Sequence, residues 1–365
     1  MNSLRVLIVG GGTGGHVYPA LAVANELVAR GISKDAVRFI GARRGLEATA
    51  VPAAGFKIDL LPGRGIRRSY KPSAWLANLV AGLGLATAGL RALWIVGRWR
   101  PNVVFGVGGY ASLAGVFAAR VWRKPIVIHE PNIAPGLINR WAVRRGAIPT
   151  VALAGTPLTG AVLTGTPIRS DFFTVEQPGN QSKFLVTIMG GSLGARRVND
   201  AGLDLYDRWR NRTDIAVRLI SGPSDYDRCT RELMSKRHAI DALDFSIIRY
   251  EENMPAVYGD SSLIVARSGA VTCAELSATK SAAILIPFPN ATDDHQTRNA
   301  EALVAMGAAV LLADRVTTGE TLGVKIDALS GDQSLLLNMR AASARLAQPQ
   351  AAAQVADVIE RAIRD

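Results

Sequence analysis

The chain has 365 residues, more than one hydrophobic core usually serves, so about two domains of ~100–200 residues each are expected. A hydrophobic share of 48% against 20% charged residues excludes an intrinsically disordered chain, and a complement of two cysteines, Cys229 and Cys273, excludes a disulfide framework. The net charge of +12 is unevenly spread: residues 1–170 carry 21 Lys and Arg against 5 Asp and Glu, whereas residues 171–365 carry 21 against 25. The basic surplus therefore belongs to the first half alone, and no nucleic-acid partner is expected.

Arg5 and the short apolar run Val6–Val9 lead straight into glycines. That run is too short for the apolar core of a secretion signal, so an unexported chain in a reducing compartment is expected. Arg5–Val9, Val37–Ile40, Ile58–Leu61, Val103–Phe105 and Ile126–His129 read as strands separated by helical stretches. Strands this apolar, without alternation, belong to a parallel sheet covered on both faces. The scheme returns in Phe184–Met189, Val217–Ile220, Phe245–Ile248, Leu263–Val265, Ala283–Ile286 and Ala309–Leu312. The expected fold is α/β, with two tandem Rossmann-like, doubly wound domains. The Gly- and Pro-containing stretches Thr164–Arg169 and Glu176–Ser182 suit a linker, which places one domain at 1–170 and the other at 171–347. The alanine-rich end, Gln348–Asp365, reads as a final helix able to pack on either domain.

One segment departs from this pattern. Trp75–Leu90 is uncharged for 16 residues, short of the ~20 that a spanning helix needs. Arg64, Arg67, Arg68 and Lys71 precede it, and Arg91, Arg98 and Arg100 follow with Trp94 and Trp99 among them. Apolar surface framed by cations and tryptophans suits a protein lying on an anionic leaflet, and a buried helix of the first domain fits the same residues.

Three glycine loops follow strands. Gly10–Gly15 precedes a helix with Pro19 near its start, Gly106–Tyr110 follows Val103–Phe105, and Gly190–Gly194 follows Phe184–Met189. Glycines let the backbone approach a ligand, and free N–H groups at a helix start favour a phosphate. The first loop also satisfies GxGxxG, but Ile40–Arg44 supplies no acidic residue for a ribose, which disfavours NAD. Arg43 and Arg44 leave NADP open on this test. Recurrence in both domains favours two anionic ligands over one dinucleotide.

The chain resembles the glycosyltransferases of bacterial cell-wall synthesis that add N-acetylglucosamine to undecaprenyl-diphospho-muramoylpentapeptide, turning lipid I into lipid II. The likeness runs in order through Gly11–Ala24, Gly106–Tyr110, His129–Asn132, Gly165–Arg169, Gly190–Arg196, Arg267–Ala270 and Asp294–Asn299. It implies the GT-B fold with a cleft between its domains, and a final helix, 348–365, returning to the first domain. It also implies an inverting transfer from UDP-N-acetylglucosamine (UDP-GlcNAc), peripheral attachment to the cytoplasmic face of the cell membrane, and work alongside other cell-wall synthesis proteins. No cofactor and no dedicated metal site are expected, since the few carboxylates near the loops are scattered, and assistance by a divalent ion stays open. A related UDP-sugar transferase acting on another lipid or natural-product acceptor is the alternative.

The reaction needs a base for the acceptor hydroxyl and stabilisation of the departing diphosphate. His16 suits the first task, because a helix start disfavours the imidazolium and keeps the ring neutral; donor or acceptor hydrogen bonding is its other reading. By resemblance, Thr13, Gly14 and Gly15 lie near the transferred groups, Asn132 touches the sugar, and Arg169 and Ser192 serve the donor diphosphate. Glu275 would hold the ribose hydroxyls, Ala270, Val271 and Thr272 would offer N–H groups to phosphate, Gln296 would contact the sugar, and the backbone at Glu251 would read uracil. Gly108, Gly109, Tyr110 and Glu130 are the acceptor-side candidates, and His129 reads equally as structural or functional. Leu219-Ile220 stands where relatives usually carry His-Gln, which removes two polar side chains from the donor domain.

Overall fold

The computed structural model describes residues 4–62, 72–179 and 182–364, without the side chains of 72–83 and 292. The chain forms two compact units: residues up to Arg169 together with the stretch from Gln350 onward, and Ser170–Pro349.

The first unit runs β1 (Val6–Val9), α1 (Gly14–Ala29), β2 (Val37–Ala42), α2 (Glu47–Ala53), β3 (Lys57–Leu61), α3 (Pro72–Trp99), β4 (Val103–Gly106), α4 (Tyr110–Val121), β5 (Ile126–Glu130), α5 (Leu137–Val143), β6 (Ile148–Val151) and β7 (Val162–Leu163). Its described strands form a parallel sheet in the order β3-β2-β1-β4-β5-β6-β7. Side chains of β1 alternate between two cores. Val6 and Ile8 pack with Leu21 and Leu27 of α1, while Leu7 and Val9 pack with Ile95 of α3 and Ala114 of α4. Burial on both faces is why β1 reads as an unbroken apolar run. Two strands fall outside those expected from sequence. In β6, Pro149 argues against a strand, and β7 is two residues long.

The second unit runs β8 (Phe184–Met189), α6 (Arg196–Trp209), β9 (Ile215–Ile220), α7 (Tyr226–Lys236), β10 (Asp244–Ile248), α8 (Met254–Asp260), β11 (Leu263–Ala266), α9 (Ala270–Ala278), β12 (Ala283–Leu285), α10 (His295–Ala305), β13 (Ala309–Leu311), α11 (Gly319–Ser330) and α12 (Gln333–Arg345). Its sheet is parallel in the order β10-β9-β8-β11-β12-β13, over a core that includes Val186, Ile188, Tyr206, Trp209, Leu219 and Val265. Two doubly wound α/β domains are what the sequence pattern implies, and both are present.

The last helix, α13 (Ala351–Arg364), completes the first unit. Val355, Val358 and Ile359 join the core beneath α1, each worth about 1.5–3 kcal/mol on burial. Arg30 of α1 fastens its outer side through Asp357 at 2.6 Å and Glu360 at 3.3 Å.

Both sheets reverse their strand order at one place, between β1 and β4 in the first unit and between β8 and β11 in the second. At such a switch point the two following connections leave toward opposite faces and open a crevice at the carboxyl ends of the strands, where open α/β sheets bind ligands. The four loops concerned start at Gly10, Val107, Gly190 and Arg267, and together with the helices that follow them they carry most of the candidate residues.

Trp75–Leu90 lies within α3. Arg64, Arg67, Arg68 and Lys71 lie outside the described residues. No helix among the described residues is long and apolar enough to cross a membrane.

Candidate active site

In the first unit, the loops after β1 and β4 interlock. The Gly11 N–H donates to the Gly108 carbonyl at 3.2 Å, and a Cβ on Gly109 would run into the Gly11 carbonyl. Gly10, Gly11, Gly12, Gly108 and Gly109 all have φ between 82° and 139°, where side chains are strained. At Gly10 and Gly109 the need is for backbone crossing backbone, since their Cβ atoms would run into the carbonyls of Gly108 and Gly11.

Their N–H groups are largely spent. Gly10 donates to the Ile40 carbonyl at 3.0 Å, Gly11 to Gly108, and Gly12 to Glu47 Oε2 at 2.6 Å. Glu47, 1% exposed, also accepts from the Ala42 N–H at 2.7 Å. Cβ atoms on Gly11, Gly41 or Gly45 would each strike its side chain, so three glycines make room for one carboxylate under the loop. Nothing in the expected pattern singled out Glu47; the clustered glycines on either side of it were the available signal. The anion-seeking N–H groups are accordingly those at the start of α1, at Thr13, Gly14 and Gly15, which a helix start leaves without an i−4 carbonyl of their own helix.

His16 sits one turn into α1. Its Nδ1 lies 3.3 Å from Thr13 Oγ1, and its Nε2 would be 2.8 Å from a Cβ on Gly108, so the ring covers the second glycine loop. His129 lies below, fully buried. Its Nδ1 meets Thr150 Oγ1 at 3.0 Å, and because the Thr150 hydroxyl donates to the Ile128 carbonyl, His129 Nδ1 carries the hydrogen. Burial, aided by repulsion from His16, pushes the His129 imidazole down to about 3. It stays neutral and structural at neutral pH.

Glu130 is 2% exposed, with both oxygens engaged. Oε1 accepts from the Asn132 backbone and side-chain nitrogens at 3.1 and 3.2 Å; Oε2 accepts from Gly136 N at 2.8 Å and Asn139 Nδ2 at 2.9 Å. Its geometry is that of a positioning group that fixes Asn132, rather than of a direct acceptor contact. Tyr110 opens α4 after Gly109, with its hydroxyl donating to the Pro62 carbonyl at 3.4 Å. Arg169 is half-buried and ends the first of the two stretches that make up the first unit.

In the second unit, Ser192 lies exposed on the loop after β8, which closes through Gly194 N–H to the Gly191 carbonyl at 2.9 Å. Asn199 of α6, fully buried, ties down the neighbouring strand end by donating to the Ser221 carbonyl at 2.9 Å and to Asp225 at 2.8 Å. Leu219 and Ile220 are 0% and 5% exposed, Leu219 within the core.

After β11, Gly269 caps α9, whose first residues Ala270, Val271 and Thr272 direct N–H groups out of the helix start. Glu275 stands about one turn further along, and its Oε2 accepts from the buried Tyr258 hydroxyl at 3.0 Å. Gln296 is the second residue of α10; its Oε1 accepts from Phe288 N–H at 3.0 Å and its backbone carbonyl from Ser268 Oγ at 2.8 Å. With Oε1 taken, the side-chain NH2 is the end left to donate. Glu251 accepts from Asn253 N–H at 2.8 Å, a turn before α8, so its side chain shapes the backbone there.

The two buried cysteines take no part. Burial pushes both Cys229 and Cys273 up to about 12, which keeps the thiols protonated. The first unit thus offers an imidazole beside a helix-start anion site, and the second a helix-start anion site followed by a carboxylate and an amide.

Residues 6–147 match the glycosyltransferase family 28 N-terminal domain, and residues 185–361 its C-terminal domain. A UDP-N-acetylglucosamine--N-acetylmuramyl-(pentapeptide) pyrophosphoryl-undecaprenol N-acetylglucosamine transferase from Desulforudis audaxviator is 36% identical, over 98% of this chain and 98% of that protein. The protein of the same description from Methylococcus capsulatus is 40% identical over 97% of each. The crystal structure of Acinetobacter baumannii MurG is similar with a TM-score of 0.75 and 27% identity, covering 98% of this chain and 99% of that one. The calicheamicin glycosyltransferase CalG4 shares the fold, with a TM-score of 0.67 at 15% identity over 100% of this chain and 99% of that one.

Proposed function

The chain belongs to glycosyltransferase family 28, among the N-acetylglucosamine transferases that act on N-acetylmuramyl-(pentapeptide) pyrophosphoryl-undecaprenol, and on that premise we propose how its residues divide the work. It transfers N-acetylglucosamine from UDP-GlcNAc to lipid I, giving lipid II for peptidoglycan.

The second unit takes the donor. The helix start at Ala270–Thr272 and the loop at Ser192 receive the diphosphate, Glu275 receives the ribose hydroxyls, and the Gln296 amide donates to the sugar. Arg169, of the first unit, is assigned a diphosphate role by its fixed positive charge alone. The backbone around Glu251 reads uracil. The first unit takes the acceptor. Gly108, Gly109 and Tyr110 line its side, Asn132 is held by Glu130, and Thr13–Gly15 serve the charge near the transferred groups.

Chemically, the muramoyl C4 hydroxyl oxygen attacks the anomeric carbon of N-acetylglucosamine. The bond from that carbon to the β-phosphate oxygen breaks with inversion, UDP leaves with the electron pair, and the hydroxyl proton passes to His16. The observation that carries this role is the position of His16: it adjoins the helix-start N–H groups of Thr13–Gly15 and lies over Gly108, so the base and the anion site share one helix start.

Membrane attachment is assigned to α3 and α4, which pack together, with the Trp122 indole donating to the Leu93 carbonyl at 2.9 Å. Leu90, Trp94, Phe117, Val121 and Trp122 are exposed there, beside exposed Arg91, Arg98, Arg120 and Arg123. Exposed aromatics among cations suit a peripheral protein on the anionic cytoplasmic leaflet, where lipid I and the other proteins of cell-wall synthesis are met.

The test offers UDP-GlcNAc, UDP-glucose and UDP-N-acetylgalactosamine with a short-chain lipid I analogue and measures UDP release. Turnover with UDP-GlcNAc that depends on the analogue is expected, and His16→Ala should lower kcat by about 10²–10⁴ with donor KM little changed. Near-normal turnover in that variant removes His16 from the mechanism.

A further inference from the structure

Near the strand ends of the second unit lies an ion pair that the division of work above does not use. Asp314, in the short turn after β13, has Oδ1 2.7 Å from Arg267 Nη1, and both side chains are 11% exposed. Its other oxygen faces Nε of Arg197, the second residue of α6, at 3.2 Å; Arg197 is half exposed, so that outer pair is screened by water and adds little. Arg267 Nη1 donates to the Ile286 carbonyl at 3.1 Å and to the Pro287 carbonyl at 2.9 Å, and the guanidinium lies 5.6 Å from the centre of the Phe288 ring. Both Nη1 hydrogens are thus spent on carbonyls, and the Asp314 carboxylate supplies the negative charge that a nearly buried guanidinium needs.

The Pro287 carbonyl and the Phe288 N–H belong to one planar peptide unit and point to opposite sides of it. Arg267 holds the carbonyl end, and Gln296 Oε1 accepts from the N–H end at 3.0 Å. A peptide N–H can only donate, so the Gln296 amide turns its oxygen to Phe288 and its NH2 the other way. The amide is oriented by one peptide plane, and the plane by an arginine that Asp314 keeps in place.

We infer that Asp314 is a positioning residue for the transferred sugar, which acts through Arg267 and the Pro287–Phe288 peptide to aim the Gln296 amide. The inference rests on the reading of Gln296 as a sugar contact and adds the carboxylate that keeps this contact in register. Without that carboxylate the guanidinium is a nearly buried charge lacking its counter-ion, and its turn toward water releases the peptide plane and with it the amide. Preorganisation of this kind acts on the sugar and leaves the nucleotide to its own contacts.

Asp314→Asn keeps the shape of the side chain and removes its charge. The experiment measures dissociation constants for UDP and UDP-GlcNAc by calorimetry on the full chain, for wild type, Asp314→Asn, Gln296→Ala and the double variant. In Asp314→Asn, UDP-GlcNAc should bind about fivefold more weakly while UDP binds as to wild type. Gln296→Ala should show the same selective loss, and adding Asp314→Asn to it should cost nothing more, since both changes remove one contact. In turnover, donor KM should rise by the same factor, with kcat at saturating donor changed by less than about twofold. Unchanged UDP-GlcNAc binding in Asp314→Asn, beside its loss in Gln296→Ala, overturns the role of Asp314 alone. Equal weakening of both ligands in Asp314→Asn also overturns it, since that is the mark of a general defect in the second unit. Losses that add in the double variant overturn the route through Gln296. UDP-GlcNAc binding left intact by Gln296→Ala overturns the sugar reading and the inference with it.

Discussion

His129 holds its single hydrogen on Nδ1 for Thr150 and cannot take a second without charging a fully buried ring. In the unfolded chain the same imidazole titrates at its ordinary 6.5, against about 3 when folded. Between those values the unfolded state binds a proton that the folded state refuses. Stability is therefore complete above 6.5 and declines as pH falls toward 3, by about 1.4 kcal/mol per pH unit for this one group. Asp225, held down to about 2 by Arg228, adds its own loss only once pH drops below the ordinary carboxylate value of 3.8. Denaturant midpoints between pH 6.5 and 4.5 should thus fall in the wild type. In His129→Asn, which can still donate to Thr150, the fall should be visibly shallower. An identical slope in both proteins would exonerate His129.

At the level of elements, Glu47 joins the β1 loop to the end of β2 and the start of α2 through two short hydrogen bonds. Glu47→Ala leaves two N–H groups without their acceptor in a buried setting, and each such loss costs about 1–3 kcal/mol. We expect a lower melting temperature and a drop in kcat of about tenfold or more, because the loop that Glu47 supports packs against the loop beneath His16. Unchanged kcat in a destabilised variant would show that the loop keeps its shape unaided.

The sequence announced some of these features and hid others. The apolar runs of β1, β4, β8 and β11 and the glycines after three of them were legible because fully buried parallel strands and backbone crossings leave few residue choices. Glu47 was not, since a glutamate at a helix start normally reads as a solvated residue favoured by the helix dipole. Tyr258 reads from sequence as one more core aromatic, and its link to Glu275 spans two helices that only the fold brings together. Pro149 concealed β6 by the rule that usually serves well.

For the molecule as a whole, a basic surplus and the exposed Trp94 and Trp122 coincide on the first unit, which carries 23 of the 42 basic residues but only 8 of the 30 acidic ones. The protein should sediment with vesicles containing anionic lipid, bind neutral vesicles more weakly, and release as salt shortens the Debye length from about 10 Å at 0.1 M. Trp94→Glu, a change at a side chain 64% exposed, should reduce sedimentation without unfolding the chain. Protein left in the supernatant with anionic vesicles at low salt would refute the membrane-facing role of α3 and α4.

The position of α13 also sets an order of assembly. A chain leaving the ribosome ordinarily finishes its first domain first. Here the core under α1 lacks Val355, Val358 and Ile359, and Arg30 lacks Asp357, until the final segment has emerged. By then Ser170–Pro349 is already out and contains every strand of its own sheet. The half translated first is the half completed last, so its exposed aromatics and cations remain on an unfinished body throughout synthesis.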